Sequence, residues 1–146
     1  MDVHDIVHFW PHNWYGFWRS SDHDYDDVPT LQAVIDPSWI PDDKQRLIAY
    51  LERSPIVASS MGQTTCLLCS SDVSACSFQF DGVWLWPRSL THYVCCHSVV
   101  LPDRLIQYIR NRSYTVPKEG EVPHVRLRDL PWPESYGGMR NLSWDS

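Results

Sequence analysis

The chain has 146 residues, 43% of them hydrophobic, and a net charge of −6 at neutral pH. That length accommodates one domain of ordinary size, and no run approaches the ~18 apolar residues of a membrane-crossing helix, which removes a membrane from the expected partners. Charge is unevenly placed: residues 1–43 hold nine Asp against Arg19 alone, a balance of −8, whereas the rest of the chain is +2. An acidic front of this kind argues against general nucleic-acid binding, which needs a basic face to displace counterions from phosphates.

In chain order, the opening "MDVHDIVHFWPHNWYGFW" carries Asp2 and Asp5 where a secretory signal would carry Lys or Arg, and it runs into aromatics instead of a small-residue cleavage site. His4, His8 and His12 recur every four residues, a spacing that can bind metal. Pro11 interrupts the run, however, and Ile6, Val7, Phe9 and Trp10 between them read as a packing segment. Trp10, Trp14, Tyr15, Phe17 and Trp18 could line a groove, but aromatics this dense more often build core. "SSDHDYDDVP" then reads as a solvated acidic loop. Residues 1–40 are thus an acidic, aromatic-rich N-terminal segment.

Residues 41–112 read as the core of a single domain over 1–146. A helix is expected from about Pro41 to Arg53, with Asp42 and Asp43 near its positive end and Leu47, Ile48 and Leu51 on one stripe. "CSFQFDGVWLWP" is the clearest strand signal, with Asp81-Gly82 predicting a two-residue hairpin turn. Pro87 is placed to open a helix through "RSLTHYVCCH". A further helix follows Pro102 and Asp103, with Leu105, Ile106 and Ile109 along one face. Residues 113–146 read as irregular chain anchored by Trp132 and Trp144.

The chemistry lies in Cys66 and Cys69, which form a CxxC, and in His92 and His97. A CxxC turn presents two thiolates to one ion, and the next hairpin and helix can deliver two imidazoles to complete a tetrahedron around Zn²⁺. His92 and His97 are five apart and cannot share one face of a regular helix, so the helix should tighten or end near His97. Two alternatives stay open: Cys96, four residues after His92, in place of His97, and no metal at all, since free Cys is commonly inert core. A redox CxxC is disfavoured because no helix evidently starts there. Five cysteines, an odd count with two of them adjacent, do not form a disulfide framework, and the expected compartment is cytoplasmic. The expected fold is therefore α+β: a CxxC knuckle, β-hairpin and helix around a structural zinc, treble-clef-like, with flanking helices and irregular aromatic-rich segments.

"MGQTTCLLC", "DPSWIPDDKQRLIAYL" and "DGVWLWPRSLTHYVCCHSVVLP" together resemble a group of small, mostly bacterial proteins of uncharacterised function, over roughly Asp36 to Ile109. The matching positions include Cys66, Cys69, Asp81, Gly82, Trp84, Trp86, Pro87, His92, Tyr93 and His97. The resemblance implies a zinc-binding core in which His97, not Cys96, is the ligand. It leaves the adjacent Cys95 and Cys96 unexplained and carries no catalytic activity.

The leading functional expectation is a zinc-stabilised protein-interaction module, immunity- or antitoxin-like, whose acidic N-terminal third meets another protein with a basic surface. One competing expectation is a metal-dependent enzyme, against which stand four protein ligands with no open position. The other is a nucleic-acid-binding finger using Arg104, Arg110, Arg112, Lys118, Arg126 and Arg128. No nucleophile motif such as GxSxG, no HExxH and no phosphate-binding glycine loop is present.

Overall fold

The computed structural model describes residues 3–19, 27–59, 64–73, 77–122 and 125–136. Its elements in order are α1 (Val3–His8), α2 (Lys44–Arg53), β1 (Ile56–Ser59), β2 (Thr64–Thr65), β3 (Asp72–Val73), β4 (Ser77–Phe80), β5 (Leu85–Pro87), α3 (Leu90–His97) and α4 (Asp103–Asn111), with short 3-10 turns between and after them. The architecture is mixed α+β. A three-stranded antiparallel sheet of order β1-β4-β5 is accompanied by the separate small ladder β2-β3.

Helix α2 begins at Lys44, three residues later than Pro41. Pro41 and the two aspartates form a lead-in turn, with the Lys44 N–H bonded to the Pro41 carbonyl. Asp43 does not cap the helix with its side chain. Its carboxylate instead takes two N–H bonds from Arg110 in α4, at 2.8 and 2.9 Å, and one from the Tyr114 hydroxyl at 2.6 Å. The guanidinium holds that carboxyl well below the usual range, and the fork joins the start of α2 to the end of α4. The predicted stripe Leu47, Ile48 and Leu51 is buried, as are Leu105, Ile106 and Ile109 of α4.

The hairpin is present with a different turn. Phe80 pairs with Leu85, so Asp81 to Trp84 form a four-residue loop, and of the predicted pair only Gly82 has positive φ, at 101°. Asp81 acts through its side chain: Oδ1 accepts the N–H groups of Val83 and Trp84 at 2.9 and 2.6 Å, and Oδ2 accepts the Tyr50 hydroxyl at 2.7 Å. An aspartate that bonds the backbone two and three residues on makes the turn by itself, and a left-handed Asp is not needed. Pro87 likewise closes β5, and α3 starts at Leu90. With no N–H to donate, proline suits the end of a strand as well as the start of a helix.

Gln79, in the middle of β4, is fully buried. Its amide donates to the carbonyls of Leu51 and Ser54, and its oxygen accepts the Trp86 indole N–H, so the end of α2 is fixed to the sheet without an orphaned polar atom. On the far side of β5, Trp14 makes a parallel bridge to Leu85. Gly16 then turns the chain at φ 92°, where an added Cβ would lie 2.9 Å from Pro87 Cδ. The aromatic set resolves as core: Trp10, Trp14, Tyr15 and Phe17 are buried, and Trp18 packs against them. Trp132 is also buried, donating to the Leu127 carbonyl, and so anchors the tail as expected; Trp144 lies outside the described residues.

A candidate metal centre between the CxxC turn and helix α3

Cys66 and Cys69 lie on the loop that joins β2 to β3, a ladder of only two residue pairs, Thr64 with Val73 and Thr65 with Asp72. Three local features shape this knuckle. The Cys66 N–H bonds the Ser71 carbonyl at 2.7 Å, closing the loop. Ser70 takes a left-handed conformation, φ 61°, which lets the chain reverse after the second cysteine. The Leu68 N–H points at Cys66 Sγ at 3.3 Å, a contact that strengthens as the sulfur gains negative charge. No helix begins at the CxxC, so the helix-terminal setting of redox thiols is absent there.

The histidines arrive on α3, which ends at His97 as expected. Ser98 is left-handed, φ 58°, and the N–H groups of Ser98 and Val99 both return to the Tyr93 carbonyl. That break brings the His97 ring to 5.1 Å from the His92 ring, centroid to centroid. The ligands then pair crosswise: Cys66 Sγ lies 3.4 Å from His97 Nε2, and Cys69 Sγ lies 3.3 Å from His92 Nε2.

All four ligand atoms fall within 4.8 Å of one another. For comparison, Zn–S bonds of about 2.3 Å and Zn–N bonds of about 2.0–2.1 Å at the tetrahedral angle put sulfur and nitrogen about 3.5 Å apart. Two thiols and two imidazoles at this spacing are positioned to bind one metal ion. Cys66 is buried, the two histidines are half-buried and Cys69 is exposed, so the site has one closed and one open side. Cys96, the alternative to His97, is exposed and outside the four-residue cluster. The thiol of Cys69 is lowered to about 6, first by its hydrogen bonds with the Ser71 hydroxyl and backbone and then by the imidazoles, which favours the thiolate.

Tyr93 carries a role that the spacing of Cys and His did not reveal. Its hydroxyl accepts the Leu67 N–H at 3.1 Å, within the CxxC turn itself. In the sequence Tyr93 stands out only as one of the positions that carry the resemblance, and its ring is buried. Only its polar tip, aimed from one ligand-bearing element to the other, marks it as part of the site.

The other candidates disperse. His8 pairs with Asp103, and His12 stacks on Trp14 at 4.4 Å between ring centroids, so neither joins a metal cluster among the described residues; the side chain of His4 lies outside them. Of the acidic loop, Asp27 is described, and its carboxylate accepts the Ser135 N–H at 2.8 Å. The basic residues of the C-terminal half largely serve the fold. Arg104 lies over Trp84 and bonds Asn13, Arg110 holds Asp43, Arg112 bonds the Tyr108 hydroxyl and Arg126 pairs with Asp129. No helix among the described residues is long and apolar enough to cross a membrane. No protein-family model matches the chain, and no curated protein or solved structure is significantly similar to it.

Proposed function

We propose that this chain is a protein-interaction module stabilised by one structural Zn²⁺ held by Cys66, Cys69, His92 and His97, in a treble-clef-like arrangement of knuckle, hairpin and helix. The observation that carries the reading is the convergence of four protein ligand atoms within 4.8 Å from two separate elements, a turn closed by its own short ladder and a helix tied to that turn by the Tyr93 hydroxyl. Two thiolates with two imidazoles are a donor set that suits zinc, and four protein ligands fill its tetrahedron. That saturation disfavours the enzyme reading, because a catalytic zinc keeps a position for water or substrate. The engagement of four arginines within the fold disfavours the nucleic-acid reading.

Interaction is supported by what the core leaves outside. Phe9 is 78% exposed, and Leu67, at the tip of the knuckle, is 69% exposed. Exposed apolar side chains in a chain whose N-terminal third is acidic suit a protein partner with a basic surface, as in an immunity protein masking its target.

Elemental analysis of protein purified without chelator tests the metal. About one zinc per chain is expected, lost in Cys69→Ser and His92→Ala and retained in Cys76→Ser. Less than about 0.2 zinc per folded, reduced chain would overturn the site. Affinity capture from native cells over a salt series tests the partner, and the expected result is one protein released by salt and not retained by a Leu67→Ser, Phe9→Ser variant.

A further inference from the structure

Cys95 and Cys96 are adjacent on α3, and both are exposed. Free cysteine is among the most commonly buried residue types, so core packing accounts for neither. A disulfide between them is also disfavoured. Neighbouring Cα atoms are about 3.8 Å apart, short of the 4.4–6.8 Å that a disulfide usually spans, and the helix holds the intervening peptide trans. The pair therefore persists as two thiols on one short piece of rigid backbone.

Both line a cleft of about 360 Å³ that also contains Asp72, Arg88, Thr91 and His92. The Thr91 hydroxyl is buried there with no hydrogen-bond partner. His92 lines the same cleft, which places the pair beside the metal centre, and neither cysteine belongs to its four-ligand set.

We infer that Cys95 and Cys96 form a second, dithiol site that captures trivalent arsenicals and is separate from the Cys66, Cys69, His92, His97 centre. Soft thiolates select soft, thiophilic centres, and an S–As–S link, two bonds long, spans a wider gap between sulfurs than the direct S–S bond that the trans helical peptide disfavours. For an organoarsenical the step is R–As=O + 2 R′SH → R–As(SR′)₂ + H₂O. Two As–S bonds form, the As–O bond is lost, both thiol protons leave in the water, and arsenic stays trivalent, so no oxidant is required. The inference rests on the zinc reading in one respect: an occupied centre leaves Cys66 and Cys69 unavailable to the arsenical.

The test is titration of the full, zinc-loaded chain with phenylarsine oxide, reading arsenical adducts by native mass spectrometry and zinc in the same spectra. One adduct per chain with zinc retained is expected. Cys95→Ser and Cys96→Ser should each weaken capture at least tenfold, whereas Cys76→Ser should leave it unchanged. An undiminished adduct in the Cys95→Ser, Cys96→Ser double variant, an adduct formed only as zinc departs, or no adduct on the parent chain would overturn the dithiol site. Absence of zinc from the starting protein would instead count against the metal reading, and the same cysteine variants would still report on the dithiol.

Discussion

The Tyr93 hydroxyl accepts the Leu67 N–H at 3.1 Å and so ties the helix bearing both histidines to the turn bearing both cysteines. A metal site assembled from two elements needs its ligands placed before the ion arrives, and groups behind the ligands contribute measurably to affinity. Tyr93→Phe keeps the buried ring and removes only this bond. The variant should fold with a loss of about 1 kcal/mol and bind zinc about 10-fold more weakly in competition with a chromogenic chelator. Unchanged zinc affinity at unchanged fold would show that the knuckle is placed by its own ladder alone.

Ser70 bears on the same turn from the backbone side. Its φ of 61° is a left-handed conformation, which disfavours side chains with a Cβ and most of all β-branched ones. Ser70→Gly should therefore be neutral or stabilising by up to about 1 kcal/mol, and Ser70→Val should lose more than about 1 kcal/mol together with much of its zinc. Thermal melts of the zinc-loaded and chelator-treated proteins separate the two effects. A valine variant with parental melting in both states would refute the turn geometry.

How far the site could be read from the sequence follows from these contacts. Cys66, Cys69, His92 and His97 were legible because ligand chemistry restricts residue type and spacing together. The end of α3 at His97 was legible because five residues cannot span one helical face. The two-pair ladder that carries the CxxC was not, since two residues give no periodicity, and β1 was missed because "IVAS" is too short to alternate clearly. The turn at Asp81-Gly82 was located correctly and typed wrongly. The same dipeptide serves a tight turn through backbone φ or a longer loop through the aspartate side chain, and here Tyr50 and the N–H groups of Val83 and Trp84 decide for the second.

Asp81 gives a third prediction. Burial pushes its carboxyl up, while the Trp84 N–H, the Tyr50 hydroxyl and the Val83 N–H pull it back. Asp81→Ala leaves those donors without a partner and should cost about 2–4 kcal/mol, measured by urea denaturation. Asp81→Asn keeps one carbonyl oxygen for the two N–H groups, spares the buried charge and should cost less than half as much. Equal losses for the two variants would mean that the charge, and not the acceptor geometry, holds the loop.

The last prediction concerns pH and follows from Cys69. Its thiol is lowered from the ordinary value of 9.0 to about 6 by Ser71 first and the imidazoles after it. For an acid whose folded value is depressed, the stabilisation is complete above the unfolded value and is lost as pH falls through the folded one. In the metal-free protein the loss therefore runs from about 9 down to about 6. Zinc binds only the thiolate and holds it against protonation further into acid. The loaded protein should thus keep its ion at neutral pH and begin to release it only below about 6, with knuckle and α3 loosening together. Ser71→Ala removes the leading cause of the depression and should move the onset of release to higher pH without changing the ligand set. Zinc release followed with a chromogenic chelator across the pH series, alongside near-ultraviolet dichroism of the Trp-rich core, checks both parts. An onset of release already near pH 8 in the parent chain, or an onset unmoved in Ser71→Ala, would contradict the assignment of Cys69 as a ligand prepared as thiolate by its neighbours.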